Sequence, residues 1–172
     1  MRILTTIILF ALLALTAGAV EEDGNAPALA GDACASGTDS RWDAALADSY
    51  RRFLAPFSAA DTMTALRMMP VDTFLAVARE EEPPLVLDVR TPGESGVLGI
   101  TLPGSLAVPM DQVFTTEVLE KLQDRTVVVV CTAGHRATAV ALALRHIGLD
   151  DVWILKGGTA ALAAYLTPKT AY

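Results

Sequence analysis

The chain has 172 residues, 52% of them hydrophobic and 19% charged, which allows one domain with a substantial core and is short for two of ordinary size. A formal charge of −7 argues against nucleic acid as a partner, because phosphate binding needs a basic face. Two cysteines do not make a disulfide scaffold, so either they pair or one is kept reduced for chemistry.

The first segment, residues 1–19, reads as a secretory signal peptide: Arg2, an apolar run from Ile3, then the small-residue pattern Ala17-Gly18-Ala19. Cleavage after Ala19 would start the mature chain at Val20, leave it without a stable membrane span, and place it in the periplasm or outside the cell. The competing reading is an uncleaved anchor, since Ile3 to Val20 is nearly long enough to span a bilayer. No cysteine follows the apolar run closely enough for a lipoprotein signal; Cys34 is too far along. Export would carry both cysteines into an oxidising compartment, where disulfides persist.

Residues 20–38, rich in Ala, Gly and acids and without a period, read as a flexible linker. Cys34 lies there, either as a small residue of a tail or as a partner for Cys131. Residues 39–69 read as a helical extension. Trp42, Leu46, Tyr50, Phe53, Leu54 and Phe57 recur at three- and four-residue steps, a stripe expected to pack. Asp61 is the expected N-cap of a second short helix carrying Met63, Leu66, Met68 and Met69, ended by Pro70.

From Pro70 onward helix and strand alternate, and residues 70–172 form the expected main domain. "VDTFLAVAREEEP" predicts a helix, "PLVLDV" a strand, "SLAVPM" a short strand and "TTEVLEKLQ" a helix. "TVVVVC" predicts a central strand, "RATAVALALRHIG" a helix, "DVWILKGG" a strand and "TAALAAYLT" a closing helix. Strands apolar on both faces, separated by helices, predict an α/β fold with a parallel sheet covered on both sides. Ligands of such sheets bind beyond the carboxyl ends of the strands, which is where Cys131 falls.

The loop "CTAGHR" joins that strand end to a helix start near Arg136. Amides at a helix N-terminus have no helical partner and can point into the loop, and Gly134 permits a tight curl. The helix dipole adds positive potential, so the loop would hold an anion and favour a thiolate at its mouth. His135 and Arg136 would add charge at the rim. The plain alternative is that Cys131 is a small hydrophobe closing a buried strand.

Four segments carry a family likeness, in order: "LVLDVRTPGE" (85–94), "LPGSLAVP" (102–109), "VVVVCTAGHRA" (127–137) and "VWILKGG" (152–158). With them, residues 70–167 resemble a rhodanese-like domain, the family of sulfurtransferases and their relatives. The resemblance implies a three-layer domain with a central parallel sheet flanked by helices, and a cysteine nucleophile at Cys131. Thr132, Ala133, Gly134, His135 and Arg136 would form the substrate-binding loop, with Asp88 and Arg90 as structural and electrostatic support. It also implies a persulfide formed on Cys131 from a donor such as thiosulfate, and passage of that sulfur to a thiol or cyanide. Partners would be a small sulfur-containing anion or thiol and, for the acceptor, a protein. No cofactor and no metal are implied, and the only histidines, His135 and His146, do not form a ligand set.

The sequence also departs from the family pattern. Ile100-Thr101-Leu102-Pro103-Gly104 lacks the histidine usual there, the segment from Glu94 to Pro103 is about two residues longer than usual, and Leu162 stands where a Trp is common. Four residues separate Cys131 from Arg136, whereas phosphatases and arsenate reductases of this fold have five and a wider bowl. Two rivals follow: a non-catalytic binding module on the same fold, and a thiol redox element using Cys131 with Cys34.

Overall fold

The computed structural model describes residues 41–57 and 62–167. The expected signal peptide, linker, Cys34 and the Asp61 cap lie outside the described residues. The first element is helix α1, Ala44–Leu54, capped by Asp43, whose side chain accepts the Leu46 N–H. Helix α2 (Thr62–Ala65) follows, then strand β1 (Met68–Met69), helix α3 (Val71–Val77) and strand β2 (Leu85–Asp88). Helix α4 (Pro92–Val97) and strand β3 (Leu106–Ala107) precede a 3-10 turn at Met110–Gln112 and helix α5 (Thr116–Leu122). The chain closes with strand β4 (Val127–Val130), helix α6 (His135–His146), strand β5 (Val152–Leu155) and helix α7 (Gly158–Tyr165).

The five strands form one parallel sheet in the order β1-β5-β4-β2-β3. Its centre is β4, paired residue for residue with β2 from Leu85↔Val127 to Asp88↔Val130. Side chains alternate across a strand, and here both faces are buried. Leu85, Leu87, Val127, Val129 and Ile154 join a core with Val118, Leu122, Val140 and Leu144 of α5 and α6. Val86, Val128, Val130 and Leu155 join the other core, with Phe74 of α3 and Leu162 of α7. The valine run is therefore a strand with no solvent face, and the expected three-layer α/β fold is what the chain adopts.

Two expectations about the N-terminal extension are corrected. Met68 and Met69 are strand, not helix: Arg67 takes a positive φ of 53°, which ends α2, and its carbonyl accepts the Ile154 N–H at 3.0 Å. The sheet thus begins two residues before Pro70, and β1 is its outer strand beside β5. The aromatic stripe of α1 packs only in part. Trp42 (67%), Leu46 (51%), Tyr50 (44%) and Leu54 (46%) remain exposed, while Phe53 and Phe57 are half-buried.

His146, at the end of α6, holds α1 in place. Tyr50 stacks on its ring at 4.2 Å, Phe53 meets it edge-on at 4.8 Å, and Ser49 Oγ lies 3.3 Å from its Nε2. A histidine late on a helix ordinarily caps it or meets solvent; this one is the centre of an aromatic contact between two helices. Among the described residues, no helix is long and apolar enough to cross a membrane, and no group of His, Cys, Asp and Glu is placed to hold a metal.

Candidate functional site

Cys131 is the first residue beyond β4, at the carboxyl edge of the sheet, and is 2% exposed. It is a free thiol whose Sγ accepts the Gly134 N–H at 3.1 Å. Of the loop amides expected to point into the loop, that of Gly134 reaches the cysteine sulfur. Gly134 is the N-cap of α6 and sits at φ 101°, a conformation that favours glycine. Its carbonyl takes the Thr138 N–H (2.8 Å) and hydroxyl (2.9 Å), fixing the first turn of the helix that faces the sulfur.

The loop is braced from behind by the turn after β5. Thr159 N–H donates to the Cys131 carbonyl (2.9 Å) and Ala160 N–H to the Thr132 carbonyl (3.0 Å). Gly158 makes this approach possible: a Cβ there would lie 2.1 Å from the Cys131 carbonyl oxygen. "Lys156-Gly157-Gly158" is therefore the seat of the cysteine loop as well as a strand-to-helix turn.

At the rim, Arg136 is bound in a two-pronged pair with Glu94, at 2.7 Å from Nη1 to Oε2 and 2.6 Å from Nη2 to Oε1. Thr132 Oγ1 donates to the same carboxylate at 2.8 Å. Arg136 holds the Glu94 carboxyl well below the usual carboxylate range, with the Thr91 amide and the Thr132 hydroxyl adding to the effect. In return Glu94 raises the Arg136 pKa, and proximity to the Cys131 sulfur raises it further. Both side chains of the pair are about a third exposed, at 34% and 36%. Ala133 and His135 are exposed beside them.

Asp88 and Arg90 lie one strand over. Asp88 is the register partner of Val130, the residue before Cys131. Arg90 Nε and Nη2 donate to its carboxylate at 2.9 and 2.6 Å, and Nη2 also donates to the Leu98 carbonyl at 2.6 Å. Both side chains are 3% exposed. Donating to the Asp88 carboxylate raises the Arg90 pKa against the opposing effect of burial. These two residues bind each other and the α4–β3 segment; their donors and acceptors do not go to the cysteine loop.

Glu94 is the rim side chain that sequence reasoning missed. Its signal was present: Thr91-Pro92-Gly93-Glu94 is a capping box with proline at the first helical position. Thr91 Oγ1 accepts the Glu94 N–H at 3.4 Å, and Glu94 Oε2 accepts the Thr91 N–H at 3.0 Å. That box starts α4 and delivers the carboxylate to Arg136.

Two clefts flank these elements. One of about 220 Å³ lies between α3, α7 and residues 98–102, lined by Phe74, Leu98, Ile100, Leu102, Thr159 and Leu162. The position where a larger Trp is common in the family is thus one wall of an apolar cleft. A larger cleft, about 660 Å³, lies at the opposite edge of the sheet around Arg125, Thr126, Asp150 and Asp151, away from the cysteine loop.

Comparison with known proteins places this architecture. A family model described as Rhodanese-like domain matches residues 73–165. The chain is 34% identical over 84 residues to "Probable adenylyltransferase/sulfurtransferase MoeZ" of Mycobacterium tuberculosis, across 48% of this chain but only 21% of that protein. It spans about a fifth of the length of that curated relative. A rhodanese-related protein from Thermoplasma volcanium shares the fold, with a TM-score of 0.50 and 24% identity over 59% of this chain and 95% of that one. So does reduced CoADR-RHD of Bacillus anthracis, with a TM-score of 0.53 and 22% identity over 64% of this chain and 19% of that one. With a strand-end cysteine, its helix-capping loop and a matching model over more than half of its length, the chain belongs to the rhodanese-like domain family.

Proposed function

We propose that this protein is a sulfurtransferase in which Cys131 carries sulfur as a persulfide. The observation that carries the reading is the Cys131 Sγ held at 3.1 Å by the Gly134 N–H, at the N-terminus of a twelve-residue helix. An amide donor and the positive end of a helix dipole stabilise negative charge on the sulfur, in a thiolate and a persulfide alike. With thiosulfate as donor, the thiolate attacks the sulfane sulfur, a new S–S bond forms, and the old one breaks to release sulfite. Cyanide then takes the outer sulfur as thiocyanate, or a small thiol takes it as a new persulfide, and the Cys131 thiolate is restored. A protein thiol is an acceptor of the same chemistry. No cofactor enters these steps.

The test is mass spectrometry of Cys131. Protein incubated with thiosulfate should gain one sulfur atom there and lose it to cyanide or a small thiol. Cys131→Ser should abolish the gain and Cys34→Ser should leave it intact. A disulfide between Cys34 and Cys131 would support the redox element instead. A thiol inert to every sulfane donor, in a folded domain, would support a binding module. Activity on aryl phosphates should be undetectable, because four residues between Cys131 and Arg136 make a tight bowl for a tetrahedral oxyanion. We also propose export to the periplasm or beyond, supported by the Arg2 to Ala19 pattern. N-terminal sequencing of the exported protein should begin at Val20; a start at Met1 would favour an anchor.

A further inference from the structure

Arg136 and the Thr132 hydroxyl are the donors at the loop rim that an incoming oxyanion would use, and both are already engaged by one carboxylate. We propose that Glu94 is a specificity-determining residue: a built-in anion that competes with small dianionic sulfur donors for Arg136 and Thr132, and so favours thiol-borne persulfides. The proposal rests on the sulfur-transfer reading and names the donor class for it.

Three observations support it. First, the engagement is two-pronged. Each Glu94 oxygen accepts from one guanidinium nitrogen, and Oε1 accepts from Thr132 as well. Second, the carboxylate is anchored from its own side, because Glu94 Oε2 also accepts from the Thr91 N–H (3.0 Å) and hydroxyl (2.8 Å). A donor must displace an anion held at both ends. Third, Glu94 stays ionised at any working pH, since its neighbours hold its pKa below the usual range. Thiosulfate brings a sulfonate head that needs these rim donors and meets a neutralised arginine and a like charge. A persulfide on a thiol has no such head: its outer sulfur moves to Cys131 and the thiol departs, with the same balance of bonds.

Glu94→Gln isolates the charge. A Gln side chain can still complete the capping box, so α4 keeps its start, while the anion is gone. On a Cys131→Ser background, where no sulfur is transferred, thiosulfate binding read by calorimetry should tighten about tenfold on Glu94→Gln. Glu94→Ala should tighten it too, without relying on the amide. With Cys131 present, kcat/KM for thiosulfate should rise about tenfold through KM, and that for a small alkyl persulfide should change less than about threefold. Unchanged or weaker thiosulfate binding in both variants would overturn the role of Glu94 even where Cys131 takes up sulfur normally. If Cys131 takes up no sulfur from either donor, the sulfur-transfer reading fails, while the binding comparison still decides whether Glu94 competes with anions.

Discussion

Two carboxylate–guanidinium pairs stand near the cysteine loop, and they differ in almost everything but chemistry. Asp88–Arg90 is sealed, each side chain 3% exposed, beside the strand that leads into Cys131. Glu94–Arg136 sits at the rim, about a third exposed, and touches Thr132 of the loop itself. A buried pair has no water to replace a lost partner, so it behaves as a fixed part of the floor. A rim pair can exchange its partner for solvent or for a ligand at small expense in stability. The same carboxylate–guanidinium chemistry thus serves permanence in one place and exchange in the other.

Breaking the floor should have the largest effect. Asp88→Ala leaves the Arg90 guanidinium buried without its counter-charge and should destabilise the fold by about 3–5 kcal/mol in denaturant melts. The α4–β3 segment held by Arg90 at Leu98 should loosen with it, read as faster amide exchange there. Gly158→Ala comes next. Its Cβ would overlap the Cys131 carbonyl at a residue with φ 60°, so a loss of about 3 kcal/mol is expected, with a changed alkylation rate at Cys131. A Gly158→Ala protein with wild-type stability would mean that the loop and the turn behind it are not rigidly coupled.

Rim changes should be kinetic. Arg136→Ala removes the cation and leaves the Glu94 charge facing the donor. It should raise KM for thiosulfate by about tenfold while moving the melting midpoint less than either floor change. A collapse of turnover at saturation with KM unchanged would instead give Arg136 a role in the transition state. The smallest effect is on pH dependence. Glu94 has a depressed carboxyl pKa in the folded protein, so its stabilisation is fully present above the unfolded value of about 4.3 and is lost as pH falls through the folded one. The stability difference between wild type and Glu94→Gln should therefore be flat from about pH 5 to pH 8 and shrink only in acid. A step between those values would contradict the tight pairing with Arg136.

The floor was legible in the sequence and the carboxylate that meets the rim arginine was not, for physical reasons. Strands buried on both faces must be apolar throughout, so "VVVV" and "LVLDV" announce themselves, as does the glycine needed where β5 turns toward α7. Helix α4 does not. Gly93, Ser95 and Gly96 give it neither propensity nor an apolar period, and its start is written only in the Thr91–Glu94 box. Glu94 and Arg136 are forty-two residues apart in sequence and meet only because the sheet sets α4 beside the loop. Met68 and Met69 suit a helix or a strand, and the decision lay with Arg67 and the free edge of β5. The α1 stripe gave its helix but not its fit: Tyr50 and Phe53 meet His146, while Trp42, Leu46, Tyr50 and Leu54 stay largely at the surface.

The order β1-β5-β4-β2-β3 puts the longest strands inside and two-residue strands at both borders. An outer strand is where one molecule can add its backbone to another's and begin an aggregate. Here each border offers only two residues, and a proline follows closely on each, Pro70 after β1 and Pro109 two residues past β3. Proline has no N–H to give and resists extension of the ladder. The sheet that positions the thiol thus offers a neighbouring molecule little backbone to pair with at either border.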